Sequence, residues 1–332
     1  MIRLYKKNPG GGYSRRDYLT LESTTCIKGL FAILVLIHHL YQHSGVSING
    51  QGAYCLQSLG YLSVAMFLFL SGYGLQISYL NKGEQYIVNL PSKRILPLYL
   101  QYILLVGIYL AFFFVIDKSK ITVKLIITSF VFGGTVVSKG WYLQLTLALY
   151  LLYWLVYSTV KRKRTLAIVI GLVFICVLCL VLQLGIVWFQ SIFSFALGIF
   201  WANNKEKIDS KCVESWGLFT GVFLITFVCS LVLSYYIIPI RVCTIILFCV
   251  LTLLLLMRVS INNKLMKGIG TYSFDIYVMQ GIPLALLHSD VIYIENKLLY
   301  MLLCTIITLI LAIAIHPVFQ FINKAVKRKV TA

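Results

Sequence analysis

Few side chains in this chain are equipped for chemistry, and the strongest candidates lie in its first apolar run. There Lys28 stands at one end, and His38 and His39 sit side by side deep inside. Lys28 and His39 are eleven residues apart, three helical turns plus about 20°, so they share one helix face about 16 Å apart. His38 points about 100° away from His39. Imidazole titrates near neutrality and suits general acid–base or nucleophilic work. The competing reading is a hydrogen-bonded packing histidine with a snorkelling lysine. Two consecutive histidines in an otherwise apolar helix bring the two readings close to balance, because ionisable groups in hydrocarbon are costly and mark function.

Four further sets follow along the chain. Ser71-Gly72-Tyr73-Gly74 lies in the second apolar run. Its small residues permit close helix contact, or let a ligand approach the backbone. Lys93-Arg94 opens a helix at Ile95-Leu96-Pro97-Leu98-Tyr99; a basic pair there is a topology anchor or a grip for an arriving anion. Lys139-Gly140-Trp141-Tyr142-Leu143-Gln144 fits an interfacial aromatic belt, with Gln144 slightly inside it. Asp275 and Gln280 form the last set, Asp275 being a counter-ion for a nearby cation. These spacings define no serine–histidine–acid triad. The nine cysteines contain no C-x-x-C pair, and seven lie in or beside apolar segments. No disulfide and no structural metal site is expected.

These side chains must be positioned by membrane helices. Only 12% of the 332 residues are charged, 60% are hydrophobic, and the mean hydropathy is +0.90. A soluble domain carries about 25% charged residues, so a soluble enzyme, a disordered chain and a secreted disulfide module are excluded. Apolar runs recur near 26–43, 60–80, 95–116, 142–160, 165–184, 188–202, 216–236, 239–257, 271–288 and 298–322. Most approach the roughly 20 residues that cross a bilayer. Ser23, Thr24 or Thr25 is placed to cap the first helix. The run 121–138, broken by Lys124 and Gly133-Gly134, is read as non-spanning, along or dipping into the outer face. With both termini inside, ten spans place 23 of the 29 basic residues on the inner side. This satisfies the positive-inside rule and accounts for the net charge of +19 without nucleic acid. The expected organisation is all-α: a cytoplasmic tail over 1–24, one polytopic domain over 25–323 and a basic cytoplasmic tail over 324–332.

Six stretches in order resemble the acyltransferase-3 membrane family. Lys28-Gly29 followed by His39 resembles its first-helix pattern, with Lys in place of Arg. Phe67-Leu68-Phe69-Leu70-Ser71-Gly72-Tyr73 resembles its second-helix signature, and Arg94-Ile95-Leu96-Pro97-Leu98-Tyr99 its basic stretch. Trp141-Tyr142-Leu143, Phe195-Ala196-Leu197-Gly198-Ile199 and Tyr272–Gln280 follow. The likeness spans about 20–325. Lys28 lacks the planar guanidinium fork, and Gln280 stands where many relatives carry His. The family's appended extracellular esterase-like domain is absent, so the resemblance implies a stand-alone member.

The resemblance implies a multi-pass O-acyltransferase of a bacterial plasma membrane. It would move an acetyl group from cytosolic acetyl-CoA to a hydroxyl of a cell-surface polysaccharide or other glycan. His39 would be the catalytic base or the acetyl carrier, and Lys28, Lys93 and Arg94 would hold the donor's phosphates. His38, Ser71, Gly72, Tyr73, Trp141, Gln144, Asp275 and Gln280 would line the site. No metal and no tightly bound cofactor is called for; the expected partners are the glycan, acetyl-CoA and the lipid bilayer. The competing function is a transporter or flippase of lipid-linked sugars, whose usual repeated halves and paired broken helices are not found. A glycan polymerase would be expected to carry a charged outer loop, whereas the loop near 41–59 has no Asp, Glu, Lys or Arg.

Overall fold

The first apolar run folds as α1, Leu21–His43, a few residues earlier than its hydrophobicity requires. Thr20 sets that start: its Oγ1 accepts from the Ser23 N–H at 3.1 Å, with Glu22 favourably placed in the first turn. The expected caps Thr24 and Thr25 instead lie within the helix, their hydroxyls donating to the Leu21 carbonyl. The structure, a computed structural model, describes residues 3–4 and 18–331. Most of the expected tail over 1–24 therefore lies outside the described residues. Arg3–Leu4 makes a two-residue antiparallel pairing with Val259–Ser260, and the other regular structure is helical.

Helices α2 (Gly50–Lys82), α3 (Glu84–Leu90) and α4 (Leu96–Ile116) follow. The polar-looking residues 50–59 are helical, so the connection after α1 is far shorter than the expected loop over 41–59. Between α3 and α4, Pro91–Ile95 forms a π-turn in which the Leu96 N–H reaches the Pro91 carbonyl. Next come α5 (Val123–Phe130), α6 (Trp141–Thr159) and α7 (Arg164–Val181). Then α8 (Phe193–Glu214), α9 (Trp216–Tyr236), α10 (Ile240–Leu256) and α11 (Lys264–Thr271) complete the middle of the chain. The expected single span over 271–288 is broken into α12 (Ser273–Met279) and α13 (Gly281–Leu286). The last helix, α14 (Lys297–Thr331), carries the expected basic tail as its continuation.

Among the described residues, seven helical stretches are long and apolar enough to cross a membrane. Their packing differs greatly. Only 11% of the apolar stretch of α9 is buried, against 67% for α2, so α9 presents an apolar surface suited to lipid.

The chain divides into two compact units. The first comprises Met1–His38, Ser47–Ile77 and Gln190–Ser273. Its core holds Ala65, Met66, Leu68 and Phe69 of α2 with Phe195 and Ile199 of α8. The second comprises His39–Val46, Ser78–Phe189 and Phe274–Ala332. Fully buried Tyr102, Tyr109, Tyr153 and Tyr300 dominate its interior. Two of them serve the broken helix: Tyr109 Oη donates to the Val278 carbonyl at 2.8 Å and Tyr300 Oη to that of Leu284 at 3.0 Å. Gly281 and Pro283 interrupt regular helical bonding there, and the two phenols bind carbonyls on either side of the interruption.

Candidate functional site

In the first unit, two of the expected site features are packing devices. An added Cβ on Gly72 would collide with the Phe195 carbonyl, and one on Gly198 with the Phe69 carbonyl and the Tyr73 N–H. The two glycines thus let α2 and α8 touch backbone to backbone. They belong to the stretches Phe67–Tyr73 and Phe195–Ile199, so the spacing of both stretches serves one helix crossing. The space beside Gly72 is occupied by Phe195 rather than open to a ligand. His38 is also built in: its Nδ1 lies 3.2 Å from the Leu56 carbonyl, and its ring fills the space beside Gly60.

His39 is equally buried, turned by one residue's rotation from His38 on the same helix. It stands four residues before the C-terminal end of α1. Lys28 lies three turns earlier on that helix.

The second unit holds the larger share of buried polar chemistry. Gln144, 4% exposed, shares its two Nε2 protons among Tyr102 Oη at 3.0 Å and the carbonyls of Thr128 and Gly134 at 2.9 and 3.0 Å. Tyr102 Oη in turn donates to Thr135 Oγ1 at 2.7 Å. Tyr102 lies fourteen residues, about 21 Å of helix, before the end of α4. The segment after α4 therefore folds back along it. Buried irregular backbone must find its hydrogen-bond partners within the protein, and Gln144 supplies them. Nearby, Trp141 packs against Trp188 and Tyr142 against Tyr277, and Tyr277 Oη donates to the Lys139 carbonyl at 2.9 Å.

Asp275, 3% exposed, finds its partner in His316 of α14. The Nδ1–H donates to Asp275 Oδ2 at 2.6 Å, and Gln320 Nε2 donates toward His316 Nε2 at 3.3 Å. A carboxylate holding one imidazole nitrogen fixes the tautomer and leaves the other nitrogen basic. Sequence reasoning named Asp275 but missed His316. The signal was present, since a histidine inside the last apolar run meets the same intramembrane-polarity rule that selected His38 and His39. Gln280 is 1% exposed, donates to the Tyr277 carbonyl at 3.0 Å and leaves Oε1 without a donor.

Lys93 and Arg94 are exposed on the π-turn, which Pro91 and Pro97 bracket. Pro97 supplies no N–H to the preceding turn, and π-turns inside helices recur at functional sites. Elsewhere in the second unit, Arg164 pairs with Glu84 at 3.0 Å, donates to Tyr79 Oη and stacks on Tyr157. This aromatic box consumes its own cation.

Comparison with protein families matches an acyltransferase domain, that of acyltransferase-3, over residues 22–316. No curated protein and no solved structure matches the chain.

Proposed function

The chain belongs to the acyltransferase-3 family, and we propose that this membrane acyltransferase moves an acetyl group from cytosolic acetyl-CoA to a hydroxyl of a cell-surface glycan. The observation that carries the proposal is the family match across nearly the whole chain, joined to buried imidazoles in membrane helices. Ten crossings with both termini in the cytoplasm complete it. The seven long helices, the 19-residue α6, the 17-residue α10 and the interrupted α12–α13 support that count. The charge distribution supports the orientation, and a bacterial plasma membrane is the expected setting.

In this reading His39 takes the proton of the acceptor hydroxyl as that oxygen attacks the thioester carbonyl. The C–S bond breaks, the C–O bond forms, and coenzyme A leaves as the thiol after protonation. The base matters because a sugar hydroxyl ionises far above neutral pH. Lys93 and Arg94, exposed on the π-turn, hold donor phosphates, with Lys28 as a further cation. The position of His39 near the second end of α1 suits an acceptor arriving from the outer side. The Asp275–His316 pair favours a second assignment of the base, with His316 in that role. Glycan NMR on a deletion strain tests the activity: the acetyl methyl signal should vanish and return with the wild-type chain. Complementation with His39→Ala should restore less than about one hundredth of the rate per folded protein, and His38→Ala most of it. A His316→Ala variant that folds and is the only one inactive would transfer the base to the second assignment.

A further inference from the structure

On the first unit, the start of α2, the end of α9 and the start of α10 bring together Tyr54, Ser58, Tyr61, Ser234 and Arg241. Their hydroxyl protons can be traced. Ser234 Oγ donates to the Leu231 carbonyl and Ser58 Oγ to that of Tyr54. Each serine oxygen must therefore accept, from Tyr54 Oη at 2.7 Å and from Tyr61 Oη at 2.8 Å respectively. The two phenolic oxygens, 3.1 Å apart, have then spent their protons and face each other with lone pairs. Arg241 lies against this electron-rich pair, its guanidinium 5.5 Å from the centre of the Tyr54 ring.

Every hydroxyl proton in the cluster is engaged, but one N–H of the cation is not. The Arg241 Nε–H is buried without an acceptor. A buried charged donor left unmatched is expensive, so the site is short of one negative or lone-pair oxygen. Beside it, Tyr235 stands edge-on to Tyr54 and to Tyr236. Tyr235 is 43% exposed and Tyr236 68%, offering ring surface of the kind that covers the C–H face of a sugar. In the proposed topology Arg241 is one of only six basic residues outside, against the prevailing charge bias.

We infer that this cluster is an acceptor subsite for an acidic glycan, with Arg241 taking a carboxylate or phosphate oxygen and Tyr235 and Tyr236 covering the adjoining sugar. The inference rests on the proposed glycan acceptor and names its chemical class. The guanidinium fork is suited to a planar or tetrahedral oxyanion, whereas a neutral sugar would leave the charge unmatched.

The test is binding, which requires no acyl donor and so fails independently of the acyl-transfer reading. Full-length protein in phosphatidylcholine nanodiscs is titrated with a glucuronate-containing tetrasaccharide and with a neutral glucose tetrasaccharide, followed by saturation-transfer NMR. The acidic probe should bind at least about tenfold more tightly. Arg241→Gln should erase that preference, Arg241→Lys should keep part of it, and Tyr236→Ala should weaken both probes. Thermal melting in the nanodisc establishes that the variants are folded. Equal affinity for the two probes, or a preference that survives Arg241→Gln, overturns the inference. So does native mass spectrometry showing that Arg241 instead retains an anionic phospholipid while the acidic probe binds as before.

Discussion

The two units are held together by different means. In the first, backbones touch: Gly72 and Gly198 join α2 to α8, and Gly29 and Gly270 meet backbone oxygens of the 266–270 turn and of Thr25. In the second, polar side chains bridge the backbones. Gln144, Tyr102, Tyr109 and Tyr300 each bind carbonyls or hydroxyls of irregular segments, and Asp275 holds His316. The difference follows from what each unit contains. Uninterrupted helices satisfy their own backbones and need only close contact. A folded-back segment and a broken helix expose carbonyls, and buried side chains must answer each one. Buried irregular backbone is thus concentrated where polar chemistry can be hosted.

Filling the glycine crossing breaks this comparison most severely. Gly198→Leu would drive a side chain into the Phe69 carbonyl and the Tyr73 amide, which are backbone atoms and cannot rotate away. No folded monomer should survive detergent extraction, measured by fluorescence-detected size exclusion. A normal elution profile would mean that α2 and α8 do not cross at these glycines.

The Asp275–His316 pair sharpens it at intermediate cost. Asp275→Ala leaves a half-buried imidazole without its acceptor and should cost about 3 kcal/mol, the lower end for a broken buried pair because the imidazole can remain neutral. Replacing both residues by leucine should recover most of that loss, since apolar pairs of similar volume often substitute for buried ionic ones. A thermal melt of the two variants checks this. If the double variant is as unstable as the single one, the pair is not an isolated bridge but part of a wider network.

Much of this was legible in the sequence, and the failures have physical causes. Length and hydropathy located most helices, because a bilayer imposes a minimum apolar length. Lys124 and Gly133-Gly134 marked a segment whose helix, α5, is only eight residues long, since a lysine and paired glycines both disfavour a long apolar helix. The break within 271–288 was signalled by Gly281 and Pro283 but read as one span; not legible was that the phenols that bind its carbonyls come from α4 and α14. His316 itself was visible inside the last apolar run, but its pairing was not. Its partner lies 41 residues away, and no periodicity within one helix connects them. Conversely, the Phe67–Tyr73 and Phe195–Ile199 stretches were visible as motifs, but only three dimensions reveal that one packs on the other.

The smallest effect tests the assignment of His38 to packing rather than chemistry. Its ring is anchored at Leu56 and occupies the space into which a Gly60 Cβ would project. Gly60→Ala alone should therefore force the ring aside and destabilise the first unit by about 1–3 kcal/mol, as overpacking does. His38→Ala alone removes the ring and leaves a void, with a cost of its own. In the double variant the alanine methyl enters the vacated space, so the two costs cannot simply add. A double-mutant cycle by thermal or denaturant unfolding in detergent should give a favourable coupling of about 1 kcal/mol, well above the scatter of independent sites. Costs that add within that scatter would mean the ring is not seated at Gly60. Turnover supplies the second reading of the same cycle. Because the methyl restores packing but no imidazole, the double variant should keep acyl transfer per folded protein, and a loss of transfer despite recovered stability would make His38 the chemical histidine.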